Sequence, residues 1–391
     1  MAVRIGTGLS TAPDLRAGAE EAAAAAGARL EGTACDVCVV FASGAHLTVP
    51  EATLEAIADT LAPSQLIGCG AQGVLGNGRE IEHGTGVAVW AASLGAGTVS
   101  AFHAAVEQAE GMTLTGIPDL DGADGAILLA DPESFPADAV LHALSPRLPH
   151  VPLIGGLASA RLIDGAPALF LDGELVAGGA VGLRFDGVDL QPCVSQGAVP
   201  LGPELTITAA EGNVVLELAG RPAYEKLQEV AEDLTEEEQL LMETSGGILV
   251  GIVVDPNKPE YLQGDFLVRP LIGADPRTGV VAVGAMVRPG QVVRLHARDA
   301  QSADLDLRAA LDTRARELAS RPAGALVFAC NGRGRAMFGE PDHDAATITQ
   351  VLGGAPSAGF FAAGEIGPVG HEAFLHGFTA TVALFGHDCA P

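Results

Sequence analysis

Basic residues are scarce in this sequence: 21 Lys and Arg stand against 49 Asp and Glu, a formal charge of −28. Such a surface repels phosphate backbones and anionic headgroups, and no basic cluster reverses that locally. Nucleic acid and bare membrane are therefore poor partners. Long hydrophobic runs are absent as well. Stretches such as Ile248–Val254 fall far short of the ~20 residues a membrane helix needs, and Met1–Gly8 lacks the basic-then-apolar pattern of a signal peptide. Six cysteines in 391 residues do not make a disulfide framework and point to a reduced compartment. A cytoplasmic location is the expectation that remains.

What is present describes a globular chain. Apolar residues make up 48% and charged residues 18%, which excludes a disordered chain. The length predicts two domains. The 51 glycines and 24 prolines predict many turns and close backbone approaches.

Three stretches read alike. The first has an apolar run at Asp36–Ser43, a helical segment at Pro50–Leu61, then runs at Leu66–Gly73 and Gly86–Ala92. The second has Asp124–Asp131, a helix near Ala137–Ser145, Leu153–Ala160 and Ala180–Phe185. The third has Gly324–Cys330, a helix near Asp342–Leu352, Ser357–Gly364 and Phe378–Phe385. Aligned on the third element, all three read G-x-x-A-x-[G/A], at Gly68/Ala71/Gly73, Gly155/Ala158/Ala160 and Gly359/Ala362/Gly364. A fixed order with a shared small-residue pattern is the mark of internal duplication. Glycine inside a strand is costly, so these strands predict either tight packing or a ligand lying against the backbone.

Between the second and third copies the pattern changes. Leu205–Ala209 and Val214–Leu218 read as paired strands around Glu211-Gly212-Asn213. Arg221-Pro222 opens a helix that continues over Ala223–Leu234, and Thr235–Glu238 is a capping box. Strands are predicted at Ile248–Val254, Gly264–Ile272, Val280–Val287 and Val292–Ala297, and a helix over Asp304–Ala319 capped by Asp304. The expected fold is α/β with mixed sheets, built from repeated strand-helix-strand-strand units with covering helices, arranged as two related lobes over 1–220 and 221–391.

Several of these segments resemble the FIST domain proteins, with both N-terminal and C-terminal FIST modules. They are Leu66-Ile-Gly-Cys-Gly-Ala-Gln-Gly73, Leu153-Ile-Gly-Gly156, Glu217-Leu-Ala-Gly-Arg-Pro-Ala223 and a C-terminal series. That series comprises Phe328-Ala-Cys-Asn-Gly-Arg-Gly334, Phe338-Gly339, Gly359-Phe-Phe-Ala-Ala-Gly-Glu-Ile-Gly-Pro368 and Phe374-Leu-His-Gly-Phe-Thr379. The resemblance spans about residues 30 to 386. It implies a non-catalytic sensory module for a small ligand, with amino acids the proposed class. It also implies an alternative, the haem-binding nitric-oxide sensors of the same family. Effector domains accompany many members; this chain leaves no room for one, so a separate signalling protein is the expected partner.

Candidate chemistry concentrates in the third copy. Cys330-Asn-Gly-Arg-Gly-Arg335 follows a predicted strand, and strand ends with Gly-rich loops are where ligands bind in α/β sheets. Arg333, with backbone N–H groups of Asn331, Gly332 and Gly334, can grip a carboxylate in a two-point fork. Glu365 is positioned to face Arg333 or to receive a ligand's amino group. Phe360, His376, Cys69 and Gln72 complete the expected contacts. No resident cofactor is expected; in the alternative, haem b is held by His376 or His371. A further alternative is an enzyme using Cys330 or Cys69 as nucleophile, although the sequence shows no base beside either. Cys35-Asp-Val-Cys38 has redox spacing but precedes a strand, where no helix N-terminus stabilises a thiolate. Gly6-Thr-Gly8 and Gly73–Gly78 lack nucleotide-loop spacing.

Overall fold

The computed structural model describes residues 2–108, 112–245 and 247–388. It divides into two compact units, Met1–Val194 with Leu307–Pro391, and Ser195–Asp306. The first unit contains all three copies of the repeat. The second is inserted within the third copy, so the compact units do not part at residue 220.

The first copy runs β1 (Arg4–Ser10), α1 (Leu15–Ala28), β2 (Val37–Ser43), α2 (Pro50–Leu61), β3 (Gln65–Gly70), β4 (Val74–Gly76), β5 (Arg79–Ile81) and β6 (Gly86–Ser93). The second runs β7 (Thr98–Gln108), β8 (Met112–Thr115), β9 (Gly125–Ala130), α3 (Ala137–Leu144), β10 (Leu153–Leu157), β11 (Leu169–Leu171), β12 (Glu174–Val176) and β13 (Ala180–Asp186). The third opens with β14 (Leu190–Gln196).

The inserted unit follows, with β15 (Ala198–Glu211), β16 (Val214–Leu218), β17 (Arg221–Pro222), α4 (Ala223–Glu232), α5 (Glu236–Thr244), β18 (Leu249–Val253), β19 (Phe266–Asp275), β20 (Val280–Val283) and β21 (Val292–Arg298). The third copy resumes with α6 (Ala300–Glu317), β22 (Pro322–Cys330), α7 (Arg335–Phe338), α8 (His343–Val351), β23 (Ser357–Ala362), β24 (Glu365–Val369), β25 (Glu372–His376) and β26 (Thr379–Gly386). Helix α6 begins four residues before the expected Asp304; Asp299 supplies the cap, accepting from the Ser302 N–H at 2.8 Å.

Each copy contributes the core of one sheet, and each sends a hairpin to another copy's sheet. The orders are β1-β6-β2-β3-β11-β12, β8-β7-β13-β9-β10-β24-β25 and β14-β26-β22-β23-β4-β5. Hairpin β4–β5 thus leaves the first copy for the third, β11–β12 leaves the second for the first, and β24–β25 leaves the third for the second. The exchange is cyclic, a threefold pseudo-symmetry within one chain. Ser159 ties the junction: it accepts from the Gln72 N–H at 2.9 Å and donates to the Phe361 carbonyl at 2.5 Å, joining all three copies.

Strands β2, β9 and β22 are covered on both faces, so each reads as a continuous apolar run. Alternate residues serve different layers. Cys38, Val40 and Ala42 meet α1 and α2, while Val39 and Phe41 turn inward to Ile127, Leu129, Phe328 and Phe360 in a core shared by the three sheets. The repeated glycine is explained by packing. A Cβ on Gly68 would lie 2.2 Å from the Val40 oxygen, on Gly155 1.9 Å from Leu128 and on Gly359 1.8 Å from Val327. These are the cross-strand partners in the parallel pairs β2–β3, β9–β10 and β22–β23. Gly6 and Gly8 likewise admit α1 against β1.

The inserted unit is an antiparallel sheet in the order β15-β21-β18-β19-β20-β16-β17, closed by pairing of β15 with β16. The Thr235 capping box forms at α5 as expected. Space left between Leu205, Val250, Val283 and Leu295 is lined almost wholly by Leu and Val, as in an incompletely filled core.

Candidate functional site

Register identifies equivalent positions in the three copies. The residue three beyond the cross-strand partner of each repeated glycine is Ser43, Asp131 or Cys330. The first residue of each exchanged hairpin, opposite the position after the glycine, is Val74, Leu169 or Glu365. In the first copy the Ser43 hydroxyl is satisfied by the Gly84 and Gly86 carbonyls. In the second, Asp131 accepts from Ser134 and lies 3.5 Å from Arg161. Only the third places a carboxyl where the others carry Val and Leu.

That carboxyl is wholly buried. Glu365 Oε2 accepts from the Thr379 N–H at 3.1 Å and its hydroxyl at 2.7 Å, while Oε1 lacks a hydrogen bond of normal geometry. Burial pushes Glu365 up to about 8, against the opposing hydrogen bonds of Thr379 and Cys330 and the charge of Arg333. The Cys330 thiol beside it is pushed up to about 12, first by burial and then by the Glu365 charge. The Gly332 N–H approaches Cys330 Sγ at 3.5 Å. The Phe378 N–H does so as well, from a residue in the left-handed region at φ 66°, a conformation costly for a bulky side chain.

Arg333 is also fully buried, and its partner is Asp344 in the first turn of α8. Nε donates to Oδ2 at 2.5 Å and Nη2 to Oδ1 at 2.9 Å. Asp344 takes the Arg333 fork, and Glu365 acts on Arg333 through its charge, with no ion pair between the two among the described residues. Burial alone would raise the Asp344 carboxyl, but Arg333 and His343 together bring it down to about 2. The Phe338 ring covers the guanidinium at 5.2 Å and stacks on His343 at 3.6 Å. Arg333 Nη1 is left buried without a hydrogen-bond partner.

Hairpin β4–β5 closes one side with carboxylates. Glu80 Oε1 accepts from the Ala345 N–H at 3.0 Å, and Glu82 Oε1 from the Arg335 N–H at 2.9 Å. Burial pushes Glu80 up to about 7, with Asp344, Glu82 and Asp342 adding to the shift.

The structure thus gathers Cys330, Gly332, Arg333 and Glu365. Asn331 is exposed, and Gly334 packs on Glu82. His376 pairs across from Glu365, but its Nε2 is bonded to the Gly367 carbonyl at 3.0 Å. Three other expected contacts lie elsewhere: Cys69 and Phe360 are core side chains, Phe360 stacked on Phe41, and Gln72 is exposed at the junction of the copies. His371 is exposed and packs edge-on against His150. With His376 Nε2 engaged and His371 on the surface, these residues do not fit a haem ligand set. Among the described residues no cluster of His, Cys, Asp or Glu has metal-holding geometry. Cys35, Cys38 and Cys69 are buried free thiols, each pushed up by burial.

The fold and site define a threefold-repeated α/β protein with a buried polar cluster in one copy. Residues 36–221 match the FIST N domain and residues 223–368 the FIST C domain. The chain belongs to the FIST family, whose domains are sensory domains that bind small ligands. It is 45% identical over 386 residues to an uncharacterized protein of Mycobacterium tuberculosis, covering 98% of this chain and 100% of that one. It is 42% identical over 388 residues to an uncharacterized protein of Mycobacterium bovis, covering 99% and 100%. Among the described residues no helix is long and apolar enough to cross a membrane.

Proposed function

We propose that the protein is a non-catalytic sensor that binds a small polar metabolite between Arg333 Nη1, Glu365 Oε1 and the Cys330–Gly334 loop, and signals to a separate protein. One observation carries this reading: a buried carboxyl occupies the place that Val74 and Leu169 fill in the other copies, with one oxygen outside normal hydrogen-bond geometry. An unsatisfied buried polar atom costs stability, so a ligand polar group that supplies its partner is favoured there. Catalysis by Cys330 is disfavoured because burial and Glu365 both oppose the thiolate.

A thermal-shift screen of a polar metabolite panel tests the reading, with Glu365→Leu as the comparison because leucine is tolerated at the equivalent position. Stabilisation of the wild type that disappears in the variant supports it. Equal stabilisation of both places the ligand elsewhere.

A further inference from the structure

Two segments of the chain share one tripeptide, Asn77-Gly78-Arg79 and Asn331-Gly332-Arg333. In an Asn-Gly pair the glycine nitrogen can attack the asparagine side-chain carbonyl, because glycine has no Cβ to obstruct the approach. Local sequence makes the two segments equal, and both asparagines are exposed. What separates them is how each side chain is held.

Asn77 stands in the turn of the β4–β5 hairpin at φ 53°. Its Oδ1 accepts from the Thr7 hydroxyl at 2.6 Å, and its Nδ2 donates to the Thr7 carbonyl at 3.3 Å. Rotating the carboxamide onto the Gly78 nitrogen breaks both bonds. The other two asparagines of the chain, Asn213 and Asn257, are also tied. Asn213 Nδ2 donates to the Val283 carbonyl at 3.2 Å, and Asn257 Nδ2 to Asp255 Oδ1 at 3.1 Å. Asn331 differs. Its backbone N–H donates to the Ala362 carbonyl at 3.0 Å, but its carboxamide has no hydrogen bond among the described residues. The nitrogen it would close onto is weakly held as well. The Gly332 N–H donates to the Cys330 sulfur at 3.5 Å, and sulfur is a weak acceptor.

We infer that Asn331 is a site of self-modification that converts the loop carrying Arg333 to an aspartyl or isoaspartyl form, while Thr7 protects the identical tripeptide at Asn77. The Gly332 nitrogen bonds to Asn331 Cγ as the Cγ–Nδ2 bond breaks, and Nδ2 leaves as ammonia with the Gly332 amide proton. Water then opens the cyclic imide at either carbonyl. The net change is amide and water to carboxylate and ammonium. Opening at the main-chain carbonyl routes the backbone through Cβ and Cγ, one bond longer than before. The turn so lengthened is closed by the Arg333 N–H on the Cys330 carbonyl at 2.9 Å, immediately ahead of the Arg333 fork on Asp344. No bound molecule is needed, so this inference stands apart from the ligand reading.

Incubation of the full chain at mildly alkaline pH, with both Asn-Gly peptides followed by mass spectrometry, tests it; the chain in urea supplies the baseline set by sequence. In urea the two asparagines are expected to convert at similar rates. In the folded chain Asn331 is expected to convert at least about tenfold faster than Asn77. The aged wild type is expected to melt at least about 2 °C below fresh protein. Asn331→Gln, whose longer side chain disfavours the five-membered ring, is expected to keep its initial melting temperature over the same period. A folded-chain ratio no larger than that in urea, or no conversion of Asn331, overturns the site. Equal loss of melting temperature in aged wild type and aged Asn331→Gln overturns its consequence for the loop.

Discussion

Arg333 and Asp344 form a two-point ion pair, 2.5 and 2.9 Å, inside the third repeat with neither side chain exposed. Removing one partner leaves a buried charge without compensation. Asp344→Ala or Arg333→Ala is expected to cost about 3–5 kcal/mol in urea unfolding. Replacing the pair together, as Arg333→Met with Asp344→Leu, is expected to cost much less than the sum. A strictly additive double variant would show that the pair does not act as a unit.

Glu365→Leu removes a buried carboxyl but strands the buried Thr379 N–H and hydroxyl that donate to it, and is expected to cost about 1–3 kcal/mol in urea unfolding. The same variant, folded at lower denaturant, is expected to lose ligand binding. An unchanged unfolding free energy would show that the Thr379 donors find other partners.

The repeated glycines are expected to be intolerant of a single methyl. Gly359→Ala places Cβ 1.8 Å from the Val327 oxygen, and a loss of at least about 3 kcal/mol is expected. Gly377 meets nothing within 4 Å, so Gly377→Ala is the matched control and is expected to stay within about 0.5 kcal/mol of wild type. Chemical denaturation of both variants checks the contrast.

Stability of the two units is expected to respond oppositely to pH. Glu365 and Glu80 are raised from 4.5 to about 8 and about 7 by burial. The native first unit therefore binds more protons than the unfolded chain over that range. Their contribution is complete below about pH 4.5 and is lost as pH rises through the folded values. Asp344, lowered from 3.8 to about 2, opposes this only in stronger acid. In the inserted unit, burial lowers His296 from 6.5 to about 4, so its contribution is present above pH 6.5 and lost as pH falls through 4. Calorimetry between pH 5 and 8 should show the first unit weakening toward alkaline pH, with Glu365→Gln reducing the slope. A pH-independent first transition would contradict the placement of these charges.

Cys330 is expected to react slowly with a thiol reagent at pH 7.5, followed at its own peptide by mass spectrometry, because burial holds the thiol up at about 12. Labelling as fast as in the unfolded chain would revive a nucleophilic role.

Much of the first unit was legible because its central strands are buried on both faces and carry one small-residue pattern. The hairpins were not. Val74–Gly76 and Leu169–Leu171 are too short for a periodicity signal, and their partners Phe360 and Cys69 lie in other copies. The site was half legible. Cys330, Arg333 and Glu365 stood out by residue type and loop context, but the partner of Arg333 was missed. Asp344 sits at an ordinary acidic helix start, and only tertiary packing buries it under Arg333. Glu80 carries no local signal, and Thr379 stood out only as the end of the Phe374–Thr379 motif. The halves of the chain that resemble the two FIST modules meet near 220, whereas the compact units part at 194 and 306. An inserted closed sheet leaves no linker in the sequence to mark it.

The central claim is that Glu365 and Arg333 hold a small ligand, and native mass spectrometry after incubation with a desalted metabolite extract tests it most directly. The account predicts a single small-molecule adduct on the wild type that is absent from Glu365→Leu. The same adduct on both proteins, or none on the wild type, would contradict it.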